Sequence, residues 1–538
     1  MKNIYLLGTL TSASLLAACG GDLTGSNSAI DTSTARGTLI QSPPPLIAAI
    51  SAPDLTATLN ANVSGKTFLA VGGAPKCGVD VQYIQYATVG AAGEATDASG
   101  AVMTPTGGPD CTGARPIVLY AHGTTTAKSF NMARLDDTTN AAYTEALLVA
   151  SMYAAQGFIV VAPNYAGYDS SRLSYHPYLN VEQESNEMID ALSAARKALP
   201  RLARPAQDSG KLFITGYSQG GHVAMATHRA LQAAGQNVTA SAPLSGPYAL
   251  AAFGDAVYYG NVNLGSTLFA PLLINSYQKA YGNIYTRLTD IYEPAYAAGI
   301  DTLLPTDTPI STLTAPGGRL PQTALFSRIP PTAPAGSPPS LQPTLNAITP
   351  PTTPAALAPL FALGFGSNNL ITNASRLNYL LDAIANPDGA VPVMTSGAPA
   401  ANPAHPTRIA AKKNDLRNWT PARPVLLCAG SADPTVFYDA NTRLMQAFWS
   451  SPSSAAAAPG VVTVLNVDSA PAGAGDPYAA AKAGFSQAKA STAASAVSAG
   501  ASDGGAAAVT QAYHGSLVPP FCTAAARGFF QQVLSAGL

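Results

Sequence analysis

Residues Lys211 to Gly235 read KLFITGYSQGGHVAMATHRALQAAG, and they restrict the fold more than any other stretch of the chain. Leu212 to Tyr217 is a short apolar run, which predicts a buried strand. Gly216-Tyr217-Ser218-Gln219-Gly220 is a tight turn in which the residues two before and two after the serine are small. Gly221 to Ala234 then carries apolar residues at helical spacing, with Gly235 as a stop. Together these predict a tight strand-to-helix turn with the Ser218 hydroxyl at its tip and the free N–H groups of a helix start behind it. In a chain with 47 glycines the five-residue pattern alone arises by chance. The strand before it and the helix after it make it a signal.

The chain around this unit repeats its logic. Val79 to Val89 alternates apolar and polar residues, as a half-buried strand does, and Thr106 to Arg115 is a turn-rich link. Pro116 to Ala121 and Phe158 to Ala162 are continuous apolar runs, expected of strands buried on both faces. Ala141 to Gln156, stopped by Gly157, and Val181 to Leu199 read as helices, and Val238 to Leu244 as the next strand. Strands alternating with helices predict an α/β fold, a mostly parallel sheet covered on both faces.

The alternation stops at Gly246. Residues 248–422 form a long insertion: helical and tyrosine-rich from Tyr248 to Ile300, crowded with Pro and Thr from Pro305 to about Pro359, helical again from Leu360 to Ala385. Strand logic resumes at Pro424 to Ala429, followed by a helix from Tyr438 to Ser450 and a strand from Val461 to Val467. Ala479 to Ala508 is an Ala/Ser/Gly-rich, low-complexity insert, and Phe521 to Leu538 a terminal helix. The expected domains are thus a core in two parts, 66–247 and 423–538, with the insertion as a cap between them. A connection that long is usually a lid or binding segment, so Tyr258, Phe269 and Leu272 are expected to form its substrate-binding wall.

A serine hydroxyl is a weak nucleophile and needs a base in reach and a third group to orient that base. In such a sheet the partners follow the serine in the order acid, base, each after a later strand. Of six histidines only His514 follows the last sheet strand, on a loop before the final helix. Asp433 lies directly after the strand Pro424 to Leu427, with Asp468 and Asp476 as rivals. Two backbone N–H groups are needed for an oxyanion. Gln219 supplies one, and Thr124, with Thr125 as alternative, the other. His122 reads as structural. No metal-ligand spacing or phosphate-cradling turn is present, so no cofactor is expected.

Tyr120-Ala121-His122-Gly123-Thr124, Pro163 to Tyr168, Gly216 to Gly221, Ala432-Asp433-Pro434 and Tyr513-His514-Gly515 together resemble the α/β-hydrolase fold. Within it they are similar to the secretory lipase group related to fungal lipase A. The resemblance covers about residues 75–247 and 424–538. It implies an α/β-hydrolase core with a large helical cap and a serine esterase or lipase without cofactor, in which Ser218, Asp433 and His514 are the triad. A peptidase or amidase would use the same triad, and a hydrolase of polyesters or aromatic esters is a further alternative. A binding lipoprotein on a dead scaffold would lack a triad member, and none is missing.

Compartment is read from the start of the chain. Lys2, the apolar stretch Ile4 to Leu16 and Leu16-Ala17-Ala18-Cys19 form an export signal ending in a bacterial lipobox, which implies cleavage and lipid attachment at Cys19. Residues 20–65, rich in Gly, Ser, Thr, Pro and Ala, then read as a flexible tether. The expectation is a monomer in the bacterial envelope, held to the outer membrane by the lipid, or secreted. Asn62, Asn237, Asn373 and Asn418 fit the glycosylation pattern, which in a bacterial lipoprotein is chance. The formal net charge is −1, and charged residues make up 11% of the chain, so no surface can neutralise a row of phosphates and nucleic acid is not a partner. Cys77, Cys111, Cys428 and Cys522 remain in an oxidising compartment and allow three pairings, or free buried thiols. Cys77–Cys111, bracketing an early hairpin region, and Cys428–Cys522, tying the strand before the acid to the last helix, are favoured.

Overall fold

Strands of Val, Ile, Leu and Phe form the centre, where both faces of the sheet are covered. The structure is a computed structural model and describes residues 35–202, 206–451 and 460–537; the export signal and Cys19 lie outside them. The strands are β1 (Leu46–Ile50), β2 (Gly78–Val89), β3 (Ala95–Thr106), β4 (Gly113–Ala121), β5 (Ile159–Pro163), β6 (Ala206–Tyr217) and β7 (Ala240–Leu244). Two-residue strands β8 (Phe326–Ser327) and β9 (Phe365–Gly366) pair with each other in the insertion, and β10 (Val425–Ala429) and β11 (Val462–Asn466) return to the main sheet. Nine strands run in the order β1-β2-β3-β5-β4-β6-β7-β10-β11. From β5 to β11 every neighbour is parallel, while β1, β2, β3 and β5 pair antiparallel.

Val118, Leu119, Val160, Val161, Phe213, Ile214 and Leu426 are fully buried, as continuous apolar runs in a parallel sheet should be. Helices α1 (Ala52–Ala61), α2 (Val63–Gly72), α3 (Tyr143–Met152), α4 (Val181–Ala198) and α5 (Gln219–Ala233) belong to the first part of the core. Helices α4 and α5 pack together, and α5 covers β6 and β7. The insertion holds α6 (Leu250–Tyr258), α7 (Ser266–Tyr281), four short helices α8 (Pro294–Ala297), α9 (Ile310–Leu313), α10 (Leu341–Ala347) and α11 (Ala358–Ala362), then α12 (Asn373–Ala385) and α13 (Pro406–Lys413). The core ends with α14 (Leu444–Trp449), α15 (Ala479–Ser498), α16 (Ala506–Ala512) and α17 (Val518–Ser535). Helix α17 packs on β6, β7 and β10 and touches α2, α3 and α15. Its Phe530 stacks on Phe213 of β6 at 4.5 Å, and each such buried ring contributes about 1.5–3 kcal/mol. Among the described residues no helix is long and apolar enough to cross a membrane.

Both favoured disulfides are present, Cys77–Cys111 and Cys428–Cys522. Two expectations are corrected. The tether does not extend to residue 65: β1 joins the sheet beside β2, and α1 is capped by Ser51, whose hydroxyl accepts the Asp54 N–H at 3.2 Å. Leu55, Leu59 and Phe68 are buried in the main core, so this segment supplies core rather than reach. His514 sits in a π-helical turn, Tyr513–Leu517, that runs directly into α17, not on a loop. The low-complexity stretch Ala479 to Ala508 is mostly helical: α15 takes up Ala479–Ser498 and α16 begins at Ala506. Strand β3, which the sequence pattern does not announce, completes a long hairpin with β2.

The insertion is tied into the core at several points. The Val181 N–H donates to Asn414 Oδ1 at 2.9 Å, and His222 Nε2 faces Asn414 O at 3.1 Å. The Thr306 N–H donates to Thr126 O at 2.7 Å, and the Leu264 N–H to Pro434 O at 3.0 Å.

Candidate active site

Ser218 stands between β6 and α5 with φ 61° and ψ −122°, a backbone region that costs a non-glycine residue about 1–3 kcal/mol. The surrounding turn leaves it no alternative. Its N–H donates to Leu244 O of β7 at 3.0 Å. A side chain at Gly216 or Gly220 would run into the Ala121 carbonyl oxygen, so the positions two before and two after the serine must be glycine. Sequence, strain and exposure of the hydroxyl are one fact here.

The structure brings Ser218, His514 and Asp433 together. His514 Nε2 lies 2.8 Å from Ser218 Oγ, and His514 Nδ1 lies 2.6 Å from Asp433 Oδ2. A carboxylate accepts only, so Nδ1 carries the proton and Nε2 is left with a lone pair facing the serine hydroxyl. Asp433 Oδ1 is fixed separately by the N–H groups of Thr435 at 2.9 Å and Val436 at 3.0 Å. The rival acids are engaged elsewhere. Asp468 accepts the Tyr513 hydroxyl at 2.6 Å and pairs with Lys489, and Asp476 pairs with Lys482 at 2.7 Å. Tyr217, next to the serine, donates its hydroxyl to the His514 carbonyl oxygen at 2.6 Å. Burial pushes its ionisation far above the ordinary tyrosine range, so it stays a donor and holds the base in place.

Gln219 opens α5 at its first position, where an N–H has no carbonyl in its own helix to bond. The loop after β4 approaches from the other side: a methyl on Gly123 would sit 3.8 Å from Ser218 Cβ, and Thr124 follows. Thr124 Oγ1 lies 3.0 Å from the Tyr178 hydroxyl, while the Thr125 carbonyl accepts from Tyr168 at 2.6 Å. His122 is 1% exposed and stacks on Tyr165 at 4.0 Å. Burial lowers it to about 4, so it is neutral and structural.

Several residues around the serine carry no signal in the sequence. Glu145 on α3 accepts the Gly123 N–H at 3.0 Å and the Tyr120 hydroxyl at 2.8 Å, and burial raises its carboxyl. It fixes the turn that presents Thr124. The Gln219 side-chain amide lies 2.6 Å from His176 Nε2 and 3.3 Å from Glu184 Oε1, and Glu184 Oε2 lies 3.1 Å from His222 Nδ1. In sequence these are an acid in a first helical turn and polar residues on helices and loops, which read as caps or solvated faces.

Tyr258, Phe269 and Leu272, expected to form a substrate wall, are not among the residues that line the cavity at Ser218. Tyr258 stacks on Tyr379 at 3.6 Å, Leu272 is 2% exposed, and Phe269 packs against the same cluster. A segment as long as the insertion has its own core to fill, and its large apolar residues fill it. The cavity that opens on Ser218 and His514 measures about 1210 Å³ and is lined by α2, α3, α15, the turn at His514 and α17.

A sequence profile of the prolyl oligopeptidase family matches residues 144–254, a span from α3 through the Ser218 turn into α6. No curated protein matches the chain in sequence. Among solved structures, a ligand-bound form of the rice cell wall degrading esterase LipA from Xanthomonas oryzae is 24% identical with a TM-score of 0.61, covering 93% of this chain and 99% of that one. A single-site mutant of the same esterase is 27% identical with a TM-score of 0.57, covering 84% and 95%. Candida antarctica lipase A is 12% identical with a TM-score of 0.43, covering 80% and 77%.

Proposed function

The chain has the α/β-hydrolase fold, and from that premise we propose that it is a serine hydrolase of carboxylic esters. The observation that carries the reading is the hydrogen-bonded line from Ser218 Oγ through His514 to Asp433 at the floor of an open cavity. Ser218 Oγ bonds to the ester carbonyl carbon as its proton passes to His514 Nε2. The Asp433 carboxylate holds the imidazolium, and the Gln219 and Thr124 N–H groups hold the oxyanion. On collapse the carbon–alkoxide bond breaks and His514 returns the proton to the leaving alcohol. Water then repeats the sequence on the acyl-enzyme and frees the acid.

The name of the Xanthomonas oryzae esterase, whose mutant is 27% identical over 84% of this chain, supports ester rather than amide hydrolysis. The profile match to the prolyl oligopeptidase family favours a peptidase as second reading, but it ends at residue 254 and contains neither Asp433 nor His514. A peptide amino terminus also needs a free acid, and Glu145, the one carboxylate lining the cavity among the described residues, is committed to Gly123 and Tyr120.

Turnover of 4-nitrophenyl esters against an aminoacyl anilide separates the two. Ser218→Ala and His514→Ala should each lower kcat by about 10³-fold or more with the fold intact. If either variant kept a tenth of wild-type ester turnover, the mechanism would be wrong. The protein is further proposed to be exported and anchored by lipid at Cys19, a reading that the two disulfides support through their need for an oxidising compartment. Mass spectrometry of the mature amino terminus should find a diacylglyceryl cysteine; an unmodified Cys19 would refute the anchor.

A further inference from the structure

The cavity at Ser218 is walled by the two segments whose sequences promise least. On one side stands α2, which begins in the stretch whose composition suggests a tether, and on the other α15, the Ala/Ser-rich helix. Helix α15 lines the cavity mostly with small residues, among them Ala481, Gly484, Ala488 and Ser495, at spacings of three, four and seven that keep them on one face, with Gln487 and Thr492 beside them. From Ala481 to Ser495 that face is roughly 20 Å long at the rise of an α-helix. Opposite it, α2 offers Phe68 and Val71. The volume of about 1210 Å³ exceeds the roughly 300–1,000 Å³ of sites that hold one small ligand.

The lining is nearly free of charge: Lys66, Glu145 and the base His514 are its ionisable groups other than tyrosine among the described residues. Val63, at the start of α2, also lines it and is 84% exposed. An apolar side chain left bare at the mouth of a groove that ends on a nucleophile is suited to being covered by substrate. Helix α15 is anchored beside the base by its one buried residue, Phe485, whose ring meets Tyr513 at 5.5 Å and Phe521 at 5.9 Å edge-on.

We propose that the groove between α2 and α15 binds the chain of a long, unbranched, uncharged acyl ester, and that the methyl-sized face of α15 sets the chain length accepted. This rests on the reading of Ser218 as an ester nucleophile. Small side chains let an extended chain lie close to the helix backbone, and a large one at Ala481 or Ala488 would block its path. The insertion then supports the acid and oxyanion loops from outside and does not select the chain.

The test uses the full chain with 4-nitrophenyl esters from C2 to C16. Ala481→Phe and Ala488→Phe should lower kcat/KM on the C16 ester at least tenfold more than on the C2 ester. Ala490→Phe, on the exposed face of the same helix, should leave the profile as it is. In Ser218→Ala, an ester of a pyrene-labelled hexadecanoic acid should bind, and adding Ala488→Phe should weaken binding about tenfold. Variants that hydrolyse C2 with an unchanged chain-length profile, or a Ser218→Ala protein that does not bind the pyrene ester, would overturn the groove. A wild type that binds the pyrene ester yet hydrolyses no ester would instead overturn the reading of Ser218.

Discussion

Three acids of α4 are buried, and each meets different company. Glu184 faces His222 at 3.1 Å, and Asp190 pairs with Arg36 at 2.9 Å. Glu187, 0% exposed, takes the neutral Gln183 amide at 2.8 Å. Burial raises its carboxyl from 4.5 to about 7, aided by Asp190 and Glu184 and opposed by Gln183 and the Ala166 backbone. The folded state therefore holds this proton more tightly than the unfolded state. Its contribution is fully present below about pH 4.5 and is lost as pH rises to about 7, by on the order of 3 kcal/mol. Glu187→Gln should match wild type near pH 4.5 and become progressively more stable than it up to pH 8 in thermal unfolding. A constant difference across that range would refute it. Single residues are legible in the sequence where covalent geometry forces a type, as with Gly216, Gly220 and Ser218. Glu145 and Glu184 are not, because their partners lie on other elements and no local spacing announces them.

Among elements, those with strong periodicity or unbroken apolar runs can be placed from sequence: β4, β5, β6, β7, β10, α4 and α5. Strand β3, ATDASGAVMTPT, escapes because its buried positions include Asp97, Ser99 and Thr104, which break the apolar pattern a strand is known by. Helix α15 escapes for the opposite reason. Alanine gives it the highest helix propensity, but with one buried residue it has no apolar stripe to read. The element contact that most concerns the site is Cys428–Cys522, which joins the strand before Asp433 to the helix after His514. It closes a separation of 94 residues, for which chain entropy predicts about 4–5 kcal/mol. Replacing both cysteines with serine should lower unfolding free energy by a few kcal/mol and reduce ester turnover. Full turnover at unchanged stability would show that the bond holds nothing the packing does not.

At the scale of the whole molecule, the long interval between β7 and β10 is legible from where strand and helix stop alternating. The insertion's role is not, since composition cannot say whether a tyrosine faces a substrate or another tyrosine. Its polar ties bear on what it does. Removing residues 248–422 would strip Asn414 from His222 and the Val181 N–H, leaving buried groups of the α5 and α4 helices unpaired, at about 1–3 kcal/mol each. An excised chain with a short linker should therefore be insoluble or unfolded by circular dichroism. A folded, soluble core would show that the insertion is dispensable to the sheet.

Ser218 and His514 are 296 residues apart, and that interval is also a span of time. At roughly 5–20 residues per second, a ribosome finishes the serine about 15–60 s before it makes the histidine. During that time the chain holds the nucleophile without its base and can do no triad chemistry. A broken message or a stalled ribosome yields the same inert product, since no fragment that stops before His514 contains the base. The nucleophile and its base are thus separated in time as well as in sequence.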